Sequence, residues 1–136
     1  MTKKTIRVVG AVIEDDDENI LCAQRPEGKN LALKWEFPGG KIEKDETPAD
    51  ALKRELVEEM ALTISIGQKI TSTTYEYDFG IVELTTYYSK ILAGEIQLLE
   101  HVQMKWVKPE EIEKLDWAPA DIPAIEIIKR KSGNRV

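Results

Sequence analysis

Three carboxylates crowd into "RELVEEM", residues 54–60: Glu55, Glu58 and Glu59. On a helix at 100° per residue they share one sector beside the apolar face of Ala49, Leu52, Leu56 and Met60. Ala51 falls among them and, being small, should leave room over the cluster. Asp50, Lys53 and Val57 point elsewhere. The grouping is unfavourable by itself. Glu55 and Glu59 form a like-charge i,i+4 pair, costing about 0.2–0.5 kcal/mol. Glu58 and Glu59 also lie in the last turn, where the helix dipole is already negative. Arg54, four residues before Glu58, relieves part of this. A divalent cation resolves the rest, because carboxylates at this spacing suit Mg²⁺ or Mn²⁺, hard ions that also hold substrate phosphates. From these seven residues alone, a solvated acidic helix face stands as an equal alternative.

The elements that must position these groups can be read on either side. Thr47 is an N-cap, Pro48 suits the first helical position, and Asp50 completes a capping-box-like pattern, so a helix should run through "ADALKRELVEEM". Before it, "TIRVVGAVIED" and "NILCAQRP" read as strands joined by the acidic turn "EDDDEN". "WEF" reads as a short strand start, and Pro38-Gly39-Gly40 as a turn. After the helix, "LTISIGQKITSTTYEYDFGIVELTTYYSKILAGEIQ" reads as two or three antiparallel strands, with turns near Asp78–Gly80 and Gly94. "MKWV" is a short strand and Pro109 opens a small helix. "PADIPAIEIIKRK" is a final amphipathic helix with Ile122, Ile125 and Ile128 on one side. This order of strands and helices predicts an α+β or α/β sandwich. "DFG" at 78–80 is a hairpin turn, since a chain this short lacks every other kinase motif.

The totals limit the function. The 136 residues suit one domain, 1–136, with one core. Hydrophobic residues make up 42%, enough for a packed interior, and the net charge of −6 argues against tracking long nucleic acid. An anionic substrate would need a cation to bring it in. The one cysteine, Cys22, reads as a core residue in a reducing compartment. The N-terminal apolar run is too short and too charged for a signal peptide or a membrane span, so a cytoplasmic protein is expected.

The segment "GKIEKDETPADALKRELVEEMAL", residues 40–62, resembles the Nudix box, G-x5-E-x7-R-E-U-x-E-E-x-G-U with U a bulky aliphatic residue. Gly40, Glu46, Arg54, Glu55, Leu56, Glu58, Glu59 and Leu62 fill its places. Ala61 stands where the family has glycine, at a helix exit expected to be left-handed. "AQRP", "WEFPGGK", "EHVQMKWV" and "WAPADIPAI" extend the likeness to the MutT-type branch, which includes oxidised-dGTP and CTP pyrophosphohydrolases. The resemblance implies a Nudix fold, with a mixed sheet between helices and the box as loop–helix–loop. It also implies Mg²⁺- or Mn²⁺-dependent hydrolysis of a nucleoside triphosphate to a monophosphate and pyrophosphate, in nucleotide-pool sanitation that serves DNA repair.

The resemblance further implies residue roles. Glu55, Glu58 and Glu59 would be metal ligands, joined by the Gly40 carbonyl. Arg54 would orient the glutamates and Glu46 would be structural. Glu100, before "MKWV", is a further candidate metal ligand and general base beside Glu55 and Glu58, against the reading of an ordinary loop glutamate. For the substrate, Arg25 and Lys41 are candidates for phosphate or base, and Trp35 or Phe37 for an aromatic wall. Asp121 stands where the oxidised-guanine enzyme has asparagine. An ionised aspartate accepts only, which suits the exocyclic amine of cytosine, with oxidised dGTP the runner-up. The plainer role for Asp121 is a cap on the last helix. His101 is expected to be exposed and incidental. A monomer or homodimer is expected. Rival readings are a non-catalytic Nudix-fold module, for which Ala61 is the argument, and hydrolysis of another diphosphate such as ADP-ribose. A calcium-binding structural protein is disfavoured, as the alternating Asp/Asn loop is lacking.

Overall fold

The computed structural model describes residues 3–133. Strand β1 (Thr5–Ile13) runs parallel to β6 (Gly80–Ala93), and β6 pairs antiparallel with β5 (Thr63–Tyr77). The other edge of β1 carries β4 (Gly39–Lys41), giving a four-stranded mixed sheet in the order β4-β1-β6-β5. A second, antiparallel sheet has the order β3-β2-β7, built from β2 (Ile20–Gln24), β3 (Trp35–Glu36) and β7 (Gln103–Val107). The expected mixed sheet is the four-stranded one, accompanied by this second sheet. Two helices complete the fold, α1 (Pro48–Met60) and α2 (Ile122–Gly133).

β1 shows how alternation builds the layers. Its Val9, Ala11 and Ile13 pack with Leu52, Leu56 and Met60 of α1, together with Leu21 and Ala23 of β2. Its Val12 faces the other way, into a cluster with Cys22, Trp35, Phe37 and Ile125 and Ile128 of α2. Successive side chains of a strand point to opposite faces, so one buried strand serves both layers. This is the expected α/β/α sandwich. Cys22 is fully buried, as read, and burial raises its thiol pKa.

Local chemistry explains the helix ends. Thr47 Oγ1 accepts from Asp50 N–H at 3.1 Å and Pro48 starts α1. The helix stops at Ala61, which adopts φ 58°, ψ 35°. Its N–H bonds Val57 O at 3.0 Å, and the Leu62 N–H bonds Leu56 O at 3.1 Å. Alanine thus takes the left-handed conformation expected of glycine, and the helix exit keeps its geometry.

Four expectations fail locally. Gly39–Lys41 is a strand and not only a turn, because it finds β1 as a partner. Ala51 is buried against the core, so it leaves no open space over the carboxylates. Ile122 is 44% exposed, and Ala124 joins Ile125 and Ile128 on the buried side of α2. The small helix expected from Pro109 is 3-10 throughout, Pro109–Lys114, and the one expected from Pro119 opens as a 3-10 turn, Pro119–Asp121, ahead of α2. The Asp78-Phe79 turn does join β5 to β6, and Gly94 bends the chain after β6 at φ +99°. Among the described residues no helix is long and apolar enough to cross a membrane.

Candidate active site

The carboxylates of α1 line an open cleft of about 920 Å³. β4 lies directly beside them, and the end of β3, the β5–β6 turn and the segment around Asp121 also line the cleft. The chain runs from one sheet to the other within Trp35–Lys41. That short crossing brings Glu36, Phe37, Gly40 and Lys41 to the cleft.

Arg54 organises the acidic side from behind. Its Nε and Nη2 bond Glu46 Oε2 and Oε1 at 2.7 and 2.9 Å, a two-pronged pairing. Its Nη1 reaches Glu55 Oε1 at 2.9 Å and Glu58 Oε2 at 3.2 Å, and Nη2 also donates to the Lys41 carbonyl at 2.9 Å. Glu46 in turn accepts from Glu43 N–H at 2.8 Å. Arg54 and that N–H hold the Glu46 carboxyl down at about 2. One guanidinium therefore sets the loop, two cleft carboxylates and the end of β4.

Glycine 40 is needed for closeness. A Cβ placed on Gly40 would lie 2.7 Å from Glu55 Oε1, so glycine lets β4 approach that carboxylate without pushing it aside. Glu59 is the most enclosed of the three. It is 7% exposed, and its Oε2 is buried without a hydrogen-bond partner. Burial first, then the charges of Glu36, Glu55 and Glu100, push its pKa up to about 9. A buried carboxylate oxygen with no donor is an unstable arrangement for a protein alone. A divalent cation fits the donor set of Glu55, Glu58, Glu59 and Glu100 with the Gly40 backbone. Among the described residues no three of these groups already stand in a ligand arrangement, and Arg54 holds one oxygen each of Glu55 and Glu58.

Glu100 lies on the cleft, exposed, in the segment leading into β7. Arg25 is also there; its Nε donates to Asn30 O at 2.9 Å and its Nη1 to Glu36 Oε1 at 3.0 Å. Asp121 is buried at 5% exposure and lines the far end. Its Oδ1 accepts from Phe37 N–H at 3.4 Å, across the sheet end; among the described residues no N–H of α2 bonds its side chain, so it is no helix cap. Burial and the nearby Glu36 raise its pKa well above the usual carboxylate range. That direction favours the protonated acid, which both donates and accepts, over the accept-only carboxylate.

Trp35 is not a cleft wall. It packs in the α2-side core, under Lys105 Nζ at 5.3 Å from its ring centre. Phe37 does line the cleft, backed by Trp117 with ring centres 4.8 Å apart. Lys41 lines it too. The aromatic group overlooked in the sequence is Phe79 of the "DFG" turn. It stands 42% exposed at the cleft and stacks on Tyr77 at 5.0 Å and 6°. The Tyr77 hydroxyl accepts from Ala120 N–H at 2.8 Å, tying that turn to the Asp121 segment. Glu36 was also missed; a charged residue between two buried aromatics was its only signal. His101 is buried, not exposed, because its Nε2 meets Glu36 Oε2 at 2.9 Å.

Comparison with known proteins agrees with this geometry. A CTP pyrophosphohydrolase of Escherichia coli K12 is 42% identical over 123 residues, 90% of each chain. An 8-oxo-dGTP diphosphatase of Haemophilus influenzae is 31% identical over 134 residues, 98% of each. The solution structure of a MutT protein from methicillin-resistant Staphylococcus aureus has a TM-score of 0.78 at 52% identity, covering 96% of this chain and 99% of that one. The NUDIX domain model matches residues 4–126. The carboxylate helix and its arginine hub thus sit in a fold and a sequence that these proteins share along nearly their whole lengths, and the chain belongs to the NUDIX domain family.

Proposed function

We propose that this Nudix hydrolase is a nucleoside triphosphate pyrophosphohydrolase that uses Mg²⁺ or Mn²⁺ and converts a (d)NTP and water to a (d)NMP and pyrophosphate. CTP, dCTP or their modified forms are the preferred substrates and oxidised dGTP is the close second. The observation that carries the reading is the buried, unpartnered Glu59 Oε2 beside Glu55, Glu58 and Glu100, in a cleft that continues to Asp121.

Bound there, a divalent cation would polarise the phosphoryl oxygens and lower the pKa of a water. Glu55, Glu58, Glu59 and Glu100, with the Gly40 carbonyl, would hold it. Arg54 keeps the helix carboxylates in register. Glu100, Glu55 or Glu58 takes a proton from the attacking water as its oxygen bonds to an internal phosphorus. The P–O bond between the attacked α- or β-phosphorus and the oxygen bridging the two breaks, and pyrophosphate or the monophosphate, respectively, departs with that electron pair. Lys41 and Arg25 supply positive charge toward the phosphates. Asp121 meets the base edge: protonated, it can donate to cytosine N3 while accepting from the exocyclic amine. The same pair of functions also suits oxidised guanine. The lean to cytosine therefore draws on the 42% identity to the E. coli CTP pyrophosphohydrolase. The protein would work as one cytoplasmic domain, a monomer or homodimer, in nucleotide-pool sanitation.

Steady-state assays of CTP, dCTP, 5-methyl-dCTP, dGTP and 8-oxo-dGTP with Mg²⁺ test this. Monophosphate and pyrophosphate are the expected primary products. Diphosphate and orthophosphate, or no turnover of any triphosphate, would overturn it.

A further inference from the structure

From Gln97 to Gln103 every side chain is exposed except that of His101. This segment has no strand or helix of its own before β7 begins, yet it carries Glu100 to the cleft. Its main chain is fastened on both sides. Gln97 N–H bonds Met60 O at 3.0 Å and Leu99 N–H bonds Glu59 O at 3.2 Å, at the carbonyl end of α1. Val102 N–H bonds Gln24 O at 3.1 Å, on β2. Between these points, among the described residues, Glu100 and His101 are held by one side-chain hydrogen bond, the 2.9 Å bond from His101 Nε2 to Glu36 Oε2. A carboxylate oxygen accepts, so Nε2 donates. The other Glu36 oxygen takes Arg25. Glu36 is thereby shared between the base side of the cleft and the segment bearing Glu100.

Packing does not explain the choice of histidine. His101 Nδ1 is buried with no hydrogen-bond partner, a cost that an apolar side chain of similar size would avoid. What histidine supplies at this place is a short, flat donor aimed at Glu36.

We propose that His101 is a positioning residue whose bond to Glu36 holds Glu100 against the carboxylates of α1. The inference rests on Glu100 being a working carboxylate of the pyrophosphohydrolase. Outer partners that orient a metal-site ligand cost about 10- to 100-fold in metal affinity or activity when removed.

The test compares the wild type with His101→Leu, His101→Gln, Glu100→Gln and the Leu/Gln double variant, using CTP and Mg²⁺. Mn²⁺ binding is measured by calorimetry without nucleotide. Wild-type pyrophosphate release reports on the proposed function separately. His101→Leu should keep its melting temperature, lose about 10- to 100-fold in kcat and bind Mn²⁺ more weakly. Its KM should stay within about threefold, the signature of a group that acts on turnover rather than on nucleotide binding. His101→Gln, whose amide can donate near the place of Nε2, should recover most of the loss. In the Glu100→Gln background the leucine should add little, since both act through one group. Should the leucine variant fail to fold, Glu36→Gln reads the same bond from its other end, and the same drop in kcat is expected. Wild-type kcat in His101→Leu, losses that multiply in the double variant, or no recovery with glutamine would each overturn the inference.

Discussion

Gly40 and Glu55 touch so closely that a Cβ on the glycine would have to displace the carboxylate: it would lie 2.7 Å from Glu55 Oε1. Gly40 has no left-handed backbone to protect, so Gly40→Ala isolates the steric effect. The variant should fold, with a loss of about 1–3 kcal/mol from overpacking. Its kcat should fall by about 10-fold or more as Glu55 is displaced. Unchanged turnover in a folded variant would show that the position of Glu55 does not matter.

Arg54→Lys removes a planar fork that lysine cannot reproduce. Glu46 loses its two-pronged partner, and Glu55 and Glu58 lose their tether. A drop in kcat of about 10- to 100-fold is expected, as for other groups that orient metal ligands. Turnover measured beside the melting temperature checks it; retention of more than half the activity would refute the hub.

Glu59 links the site to pH. Its folded-state pKa lies above its ordinary value, so the folded state holds the proton more tightly than the unfolded chain. In metal-free protein this contribution to stability is fully present below about pH 4.5 and is lost as pH rises through about 9. Glu59→Gln should flatten that decline and make metal-free protein more stable at pH 8 by about 1–3 kcal/mol. The same change should abolish the gain in stability on adding Mn²⁺. Denaturant melts from pH 5 to 9, with and without Mn²⁺, give the answer.

Ala61→Gly should stabilise the protein by up to about 1 kcal/mol, since alanine is held at φ 58° where glycine is unstrained. Turnover should not change. The paired readout distinguishes a strained helix exit from a functional one.

Asp121→Asn should reorder the five nucleotides. Losing one well-placed hydrogen-bonding partner costs about 1–3 kcal/mol of discrimination. Since asparagine both donates and accepts whatever the pH, the variant should also lose any pH dependence of base preference that comes from Asp121. The same ranking of kcat/KM in both proteins would remove Asp121 from base reading.

What could be read without coordinates was set by nearby residues. The cap at Thr47, Pro48 at the first turn and the grouping of Glu55, Glu58 and Glu59 each depend on neighbours within one or two turns. What could not be read depends on distant partners. Gly39–Lys41 is a strand only because β1 lies beside it, and glycines carry no strand signal of their own. His101 looked incidental because its partner, Glu36, is 65 residues away. Trp35 and Phe37 sit two apart on the same buried side, and only the position of the sheet end puts one in the cleft and the other beneath it. Ile122 fits the helical stripe, yet it falls where α2 begins, beyond the cover of the core.

The crossing of the chain between sheets at Trp35–Lys41 has an evolutionary consequence. A single short peptide carries Glu36, Phe37, Gly40 and Lys41, all lining the cleft in which the proposed triphosphate would lie. A change there that suits a new base also moves the groups that hold the triphosphate, so such variants meet two selective filters at once. The turn at Phe79 and the segment at Asp121, joined to each other through Tyr77 and Ala120, are attached at a distance from the acidic helix. New nucleotide preferences are therefore most accessible by mutation on that far wall, with the hydrolytic half inherited intact.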